Sequence, residues 1–263
     1  MKEENRKVSI KDIRATYSKE KMLSERRNKV WLYYAGRLPS FYLTWVFLRL
    51  NISANQATYI CLIIGLGSCI FLALGSYTLK LAGAFLAALY LLLDCVDGNI
   101  ARYRKSSSPF GKFIDASASY IISSFLFMSI GLGVVTNPTS SILLRHSQSF
   151  FISFNKDIFL IVGFWSSLSY VLARLISLRY KTMLISNQGS DSLENTPSNR
   201  SSQVSTIMFR NIFGVSGFFM PLLLLAVVFR LFGFLALFYV VVNSIALIFI
   251  VVKTTIKMKS AVG

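Results

Sequence analysis

The stretch LLLDCVDGNIARYRKSSSPFGKFIDASAS, residues 91–119, decides how this chain folds. It begins as the end of a long apolar run and then places three carboxylates, Asp94, Asp97 and Asp115, among glycines and cations. A carboxylate beside hydrocarbon is costly in free energy unless a partner neutralises it. The sequence therefore predicts a functional site at the point where this apolar run ends.

The remainder of the chain is too apolar for an ordinary soluble domain. Of its 263 residues, 54% are hydrophobic, and the mean hydropathy is +0.57. Several apolar runs approach the ~20 residues that a helix needs to cross a bilayer. We predict an all-α polytopic membrane protein, a bundle of six transmembrane helices near residues 56–76, 81–103, 109–135, 158–178, 211–230 and 232–252.

The formal net charge of +17 has to be interpreted in this membrane setting. In a soluble protein it would suggest nucleic acid as the partner, but here most cations lie outside the apolar runs. An anionic membrane surface is the better partner. With the N-terminus in the cytosol, 24 lysines and arginines fall on the cytosolic side and four on the other. This asymmetry predicts a multi-pass protein with both termini and the acidic cluster at the cytosolic face.

Composition divides the chain into three parts. Residues 1–52 are predicted to form a basic cytosolic segment and an interfacial helix, residues 53–256 the transmembrane domain, and residues 257–263 a short cytosolic tail. Within the first part, residues 40–50 (SFYLTWVFLRL) are apolar and aromatic but too short to span a membrane. Such a segment is typical of an amphipathic helix that lies at the membrane interface. The polar residues 187–203 are expected to form a mobile loop.

The three carboxylates are predicted to converge. Asp94 and Asp97 lie one turn apart on one face of a helix. The chain then turns, and Pro109 suits the first turn of the next helix, on which Asp115 and Ser119 share a face. Two antiparallel helices would thus bring three carboxylates to one end of the bundle. Such an all-oxygen site suits a hard cation such as Mg²⁺ or Mn²⁺, completed by phosphate oxygens of a substrate.

Two neighbouring residues fit a phosphate ligand. Gly98 removes a side chain where a ligand would approach the backbone, and Arg102 is placed to pair with a phosphate in a fork geometry. The alternative is a purely structural one, in which the acids pair with Arg102, Arg104 and Lys112.

The spacing of these residues closely resembles the signature of the CDP-alcohol phosphatidyltransferase (phosphotransferase) family, D-x2-D-G-x2-A-R-x8-G-x3-D-x3-D. Every spacing is kept, and seven of the eight fixed positions match. The residues at these positions are Asp94, Asp97, Gly98, Ala101, Arg102, Gly111, Asp115 and Ser119.

The start of the first apolar run, SANQAT (residues 53–58), is similar to the family's Pro-Asn-x-x-Thr entry to its first span. Asn55 and Thr58 are kept, and Ala54 replaces the proline. For Asn55, a plain helix cap is the alternative to a nucleotide contact.

The resemblance implies a reaction. Members of this family transfer a substituted phosphate group from a CDP-alcohol to an acceptor alcohol and release CMP. The resemblance implies a role in phospholipid or related lipid biosynthesis, with one or two Mg²⁺ or Mn²⁺ ions at the pyrophosphate. The CDP-linked substrate could carry diacylglycerol, with a small polar acceptor, or a polar head group, with a lipid acceptor; the cations near the later spans favour CDP-diacylglycerol. By analogy the resemblance also implies a homodimer.

The resemblance further implies roles for individual residues. The metal ligands would be Asp94, Asp97 and Asp115. The residues around the CDP moiety would be Asn55, Thr58, Gly98, Ala101, Arg102, Ser108 and Gly111. From their positions near the cytosolic ends of later spans, Arg174 and Arg210 are candidates for binding a phosphorylated acceptor such as glycerol phosphate or inositol phosphate. The alternative for such cations is that they snorkel to the lipid headgroups.

One signature position departs from the family. The last aspartate, the expected general base, is Ser119 here, and a serine hydroxyl is a poor proton acceptor near neutral pH. Three interpretations stay open: another base such as Asp191 or Glu194 serves an unusual acceptor, the enzyme is slow, or the protein binds CDP ligands without turnover. A cation transporter is a further alternative, although such proteins usually show two related halves around a site near the bilayer midplane.

Overall fold

The computed structural model describes residues 8–28, 30–137, 155–188 and 215–262, and the residues described are predominantly helical with no β-strand among them. The predicted all-α class is confirmed. The α-helices are α1 (Ile10–Ala15), α2 (Lys19–Asn28), α3 (Leu38–Arg49), α4 (Ala54–Ala73), α5 (Tyr77–Tyr103), α6 (Pro109–Thr136), α7 (Ile158–Gln188), α8 (Met220–Val228) and α9 (Phe232–Val262). Short π-helical segments, Leu32–Arg37 and Val215–Phe219, lead into α3 and α8.

Within the described residues, five helices are long and apolar enough to cross a membrane: α4, α5, α6, and the greater parts of α7 (Ile158–Tyr180) and α9 (Phe232–Lys259). This fits an integral membrane protein, as predicted. The predicted count of six is not exact, because the described part of segment 211–230 contains only a shorter apolar helix, Gly217–Val228. The backbone is non-helical at Gly217 (φ −94°, ψ −126°). Arg230, with φ +56°, then ends the segment.

Local sequence explains where the helices around the acidic stretch begin. Ser53 and Gln56 form a reciprocal capping box at the start of α4, which satisfies two backbone donors that the first turn leaves without partners. Ser76 caps α5 by accepting a hydrogen bond from the Leu79 amide at 3.2 Å. Ser108 caps α6, with Pro109 in the first turn, the position where a proline costs no backbone hydrogen bond.

Helix α5 lies at the centre of the part of the bundle that carries the acids. It packs against α3, α4 and α8, whereas α6 packs against α4, α7 and α9. Glycines allow the closest approaches: a Cβ on Gly131 of α6 would lie 2.7 Å from the Gly163 Cα of α7, and one on Gly83 of α5 would lie 2.9 Å from the Leu72 amide nitrogen of α4. Small residues at such crossings are typical of helices packed within a membrane.

The N-terminal segment, residues 8–28, folds back onto α3. The Trp45 indole Nε1 donates a hydrogen bond to the Val8 carbonyl at 3.0 Å, and Ile13 packs in a buried cluster with Phe41 and Ile100. Helix α3 buries Phe41 and Leu48 in this cluster and exposes Tyr42 and Val46. The interfacial location predicted for residues 40–50 stays a prediction. The N-terminal segment therefore covers the end of α5 that bears the acids.

Candidate active site

A pocket of about 200 Å³ lies where the start of α4, the end of α5 and the start of α6 meet. All seven residues predicted to surround a nucleotide line it: Asn55, Thr58, Gly98, Ala101, Arg102, Ser108 and Gly111. Asp97 and Asp115 line it as well. The fold thus brings two separate sequence motifs, the start of the first long helix and the acidic stretch, to one cavity.

Asp97 is held in a defined orientation. Its side chain is only 6% exposed. The Thr58 hydroxyl donates a hydrogen bond to Asp97 Oδ2 at 2.7 Å, and the Gly98 amide donates one to Asp97 Oδ1 at 2.5 Å. Hydrogen bonds to an ionised carboxylate are stronger than those between neutral groups. The two donors therefore position the carboxylate for a further partner in the pocket.

The signature aspartates lie near one another at the end of α5 and the start of α6. Asp97 and Asp115 line the same pocket, and Asp94 lies one helical turn before Asp97 on α5. Within the described residues neither Asp97 nor Asp115 forms an ion pair, so the structural alternative, in which neighbouring arginines and lysines neutralise these two acids, is not supported. Like charges gathered in one place, without such neutralisation, are typical of a site that takes a cation.

The described acidic side chains do not form a complete metal site by themselves. Among the described residues, no group of three or more Asp, Glu, His or Cys side chains is placed to hold a metal ion by itself. Mg²⁺, however, is usually bound through one or two carboxylates together with substrate phosphates. The pair that lines the pocket, Asp97 and Asp115, fits that donor set. The assignment of Asp94, Asp97 and Asp115 as metal ligands stays a prediction.

Asn55 is not the cap of its helix. Ser53 has that role, so the capping alternative for Asn55 is wrong. A Cβ on Gly111 would lie 3.1 Å from Asn55 Oδ1 and 3.2 Å from Ser108 Oγ. A side chain at Gly111 would therefore crowd both polar groups, which line the same pocket. Ser108 itself accepts a hydrogen bond from the Gly111 amide at 3.0 Å.

The guanidinium of Arg102 lies beside Gly98. A Cβ on Gly98 would lie 3.4 Å from both Nη1 and Nη2 of Arg102, so the glycine leaves the space that the guanidinium uses. Arg102 Nη2 donates a hydrogen bond to Asn99 Oδ1 at 2.8 Å. The Arg102 Cζ atom is 4.9 Å from the centroid of the Tyr17 ring.

Ser119 faces an acid. Its hydroxyl donates a hydrogen bond to Asp94 Oδ1 at 3.1 Å, from α6 to α5. Neither residue is among those that line the pocket. The position of the family's expected base is therefore next to Asp94, but it carries a donor instead of a second carboxylate.

The predicted acceptor residues are not in this pocket. Arg174 is exposed and its guanidinium lies 5.3 Å from the ring of Tyr170 on the same helix. Arg210, Asp191 and Glu194 lie outside the described residues. The acceptor site and the alternative bases stay predictions.

Four further residues line the pocket that the sequence prediction did not include: Ala54, Ser106, Ser107 and Lys112. Ser106 and Ser107 lie at positions where the signature allows any residue, and Lys112 directly follows the second glycine of the signature. Lys112 had a usable signal, because it follows Gly111 and lies three residues before Asp115.

Comparison with models of known protein families shows the family to which this chain belongs. The family model described as CDP-alcohol phosphatidyltransferase matches residues 51–252, which is most of the chain. The chain belongs to this family. CDP-alcohol phosphatidyltransferases transfer a phosphatidyl-type group from a CDP-alcohol to an acceptor alcohol, and they generally depend on a divalent metal. A comparison with curated proteins gives no significant match.

Proposed function

We propose that this protein transfers the phosphatidyl group of CDP-diacylglycerol to a small polar alcohol and releases CMP, as a step of phospholipid biosynthesis. Family membership supports the reaction class. The observation that carries the proposal is the shared pocket, because all seven predicted nucleotide residues line it together with two signature aspartates.

The charges around the pocket suit a diphosphate ester. Arg102 and Lys112 bring positive charge to the lining, and Asp97 and Asp115 bring negative charge. Cationic side chains bind phosphate oxygens directly. Carboxylates bind phosphate oxygens only through a cation that lies between the carboxylate and the phosphate. A ligand with two linked phosphates uses both the cationic and the acidic side chains. A simple cation would be repelled by Arg102 and Lys112.

Asp97 and Asp115, with Asp94 one turn from Asp97, would hold the divalent cation, which we take to be Mg²⁺ or Mn²⁺. When bound, such an ion offsets negative charge on the phosphates and on departing CMP. Thr58 and the Gly98 amide hold the Asp97 carboxylate in place through their hydrogen bonds.

The reaction exchanges one phosphorus–oxygen bond for another. The acceptor hydroxyl oxygen bonds to the phosphorus that carries diacylglycerol, and the bond from that phosphorus to the bridging oxygen breaks. CMP leaves with the bridging oxygen. The hydroxyl proton passes to a base other than Ser119, because the Ser119 hydroxyl is itself a donor to Asp94.

That hydrogen bond also favours a second candidate function, the binding of a CDP-alcohol without turnover. A missing general base typically lowers a rate by about 10²–10⁴-fold. A protein that lacks this base keeps the pocket and its charges but acts as a receptor for the nucleotide ester. Both candidates predict metal-dependent binding of a cytidine nucleotide, and only the first predicts CMP release.

Three further proposals concern the setting of the site. For the acceptor we propose a phosphorylated alcohol bound near Arg174 and Arg210. We place the pocket at the cytosolic face, because of the predicted asymmetry of lysine and arginine. We propose a homodimer by analogy with the family.

The test is a release assay. Protein in lipid nanodiscs is incubated with labelled CDP-diacylglycerol, Mg²⁺ or Mn²⁺ and a panel of alcohols that includes glycerol phosphate and inositol phosphate. We expect CMP release that requires both metal and one acceptor, is lost in Asp97→Asn and persists in Asp157→Asn, which changes an exposed carboxylate at the start of α7. Metal-dependent CMP binding without release from any acceptor would support the second candidate. A response to a transported cation alone, with none to cytidine nucleotides, would favour the transporter alternative.

A further inference from the structure

We propose that Tyr17, in the N-terminal segment, is a positioning residue of the nucleotide site that acts by holding the guanidinium of Arg102. The inference rests on the proposed function, because Arg102 matters to a ligand only if the pocket binds one. Tyr17 lies outside the family match, which begins at residue 51. It is therefore a feature of this chain that the family match does not describe.

The position of Tyr17 supports this role. Its side chain is only 3% exposed, although it lies in the turn between two short, polar helices. The centroid of its ring is 4.9 Å from the Arg102 Cζ atom and 4.8 Å from the Arg37 Cζ atom. The ring also meets Phe41 of α3 in an edge arrangement, with centroids 6.3 Å apart. A buried aromatic face at this distance attracts a guanidinium, and its fixed packing limits where that guanidinium can lie.

Arg102 needs such support because it has few other contacts. Its Nη2 donates to Asn99 Oδ1, while its buried Nε atom has no hydrogen-bond partner among the described residues. Nor does Arg102 form an ion pair within them. The second holding group, Asn99, is fixed from α3 through hydrogen bonds from its Nδ2 to Ser40 Oγ (3.0 Å) and Thr44 Oγ1 (3.1 Å). The ring and the amide together determine where Arg102 meets the pocket.

The neighbouring charges keep Arg102 available to an anion. Glu25, on α2, pairs with Arg37 by accepting two hydrogen bonds from its guanidinium, of 2.9 and 3.1 Å. The charge of Arg37 is thereby neutralised, whereas that of Arg102 is not. Burial raises the pKa of Tyr17, and the nearby Glu25 raises it further. The phenol stays neutral, so the ring attracts Arg102 through its face and does not become a phenolate partner that would compete with a phosphate.

The N-terminal segment and the pocket are thus linked through one side chain. A flexible arginine loses rotamer freedom when it binds a phosphate, and an arginine that is already held loses less. Pre-organisation of this kind increases affinity without adding a contact to the ligand. Tyr17 would accordingly change ligand affinity while never touching the ligand.

The first experiment measures CMP binding by calorimetry, with Mg²⁺, to full-length protein in nanodiscs. We expect Tyr17→Leu to weaken binding by roughly tenfold and Tyr17→Phe, which keeps the ring face, to stay within about twofold of the natural chain. Trp45→Phe serves as the control, because it removes the hydrogen bond to Val8 in the same segment without touching Arg102. In an Arg102→Ala background, Tyr17→Leu should have no further effect, since the two residues act as one unit.

A second measurement does not depend on CMP. Phenylglyoxal modifies accessible arginines, and mass spectrometry reports the rate at Arg102. We expect that rate to rise severalfold in Tyr17→Leu and to be unchanged in Tyr17→Phe and Trp45→Phe. Equal labelling in all variants, or a tenfold loss of CMP affinity that persists in the Arg102→Ala background, would overturn the inference. Absence of CMP binding to the natural chain, with the labelling difference present, would instead contradict the proposed function.

Discussion

The Ser119 hydroxyl donates a hydrogen bond to Asp94 Oδ1 at 3.1 Å, across the contact between α6 and α5. The family signature has an aspartate at position 119, which would face Asp94 as a second carboxylate. In this chain the pair is a donor and an acceptor, so it is stable without a cation. Substituting Ser119 therefore tests both the chemistry and the electrostatics of the site.

Ser119→Asp should restore the missing base. We expect CMP release from CDP-diacylglycerol in the presence of Mg²⁺ to rise at least about tenfold, because a positioned general base typically contributes 10²–10⁴-fold. The new carboxylate should also repel Asp94, so the melting temperature in EDTA should fall and recover when Mg²⁺ is added. Ser119→Asn is the matched control, with the same shape and no base. Equal rates for the two variants would show that position 119 takes no part in proton transfer.

Thr58→Val should weaken metal-dependent ligand binding without unfolding the protein. The substitution keeps the volume of the side chain but removes the donor to Asp97 Oδ2. Loss of a group that orients a metal ligand typically costs about 10–100-fold in metal affinity, and we expect a similar loss in the Mg²⁺-dependent affinity for CMP, measured by calorimetry. Thr58→Ser, which keeps the donor, should retain most of the affinity. Wild-type affinity in the valine variant would mean that Asp97 needs no such orientation.

Gly131→Ala should destabilise the bundle. A Cβ there would lie 2.7 Å from the Gly163 Cα, and a backbone atom cannot move aside as the end of a side chain can. The overcrowding is expected to lower the free energy of unfolding by about 1–3 kcal/mol. The melting temperature should fall by several degrees. Gly67→Ala is the matched control, because its Cβ would meet only Leu86 Cδ1, at 3.8 Å. Equal melting temperatures for the two variants would contradict the close contact of α6 with α7.

The orientation in the membrane can be tested by thiol labelling. Cys61, Cys69 and Cys95 are all buried, so an introduced cysteine gives a clear signal. Arg104→Cys marks the end of α5 near the pocket, and Lys156→Cys marks the opposite end of the bundle, before α7. An impermeant maleimide added to intact cells should label the second variant only. Labelling of the first alone would place the pocket on the outside and contradict the predicted asymmetry of charge.

The convergence of the two helices was readable from sequence because its determinants are local. Asp94 and Asp97 are one helical turn apart, and Ser108 and Pro109 fix the start of α6, so a single short loop brings the end of α5 and the start of α6 to the same pocket. The sequence alone left open whether Asn55 caps its helix or contacts a nucleotide. The capping box of Ser53 and Gln56 was visible in the sequence and would have excluded Asn55 as the cap.

Two features needed the structure. The contact of Tyr17 with Arg102 depends on how the N-terminal segment folds back over α3. Ile10, Ile13 and Tyr17 recur at helical spacing, which indicates a buried face but does not identify the helix against which that face packs. The non-helical backbone at Gly217 was not predicted, because the prediction used the high average hydropathy of residues 211–230. The continuity of a helix depends instead on single residues. Gly217 and Pro221 were the local signals of that break.

Metal-dependent binding of CMP is the measurement that most directly tests the central claim, because it is common to a transferase and to a binding protein. Calorimetry on the full chain should give saturable CMP binding with Mg²⁺ or Mn²⁺ and none in EDTA. Asp97→Asn, which can still accept the hydrogen bond from Thr58, should lose at least about 100-fold in affinity, and Asp157→Asn should bind as the natural chain does. CMP binding that is absent under all metal conditions, or that is unchanged in Asp97→Asn, would contradict the claim that this pocket binds a cytidine diphosphate ester through its aspartates.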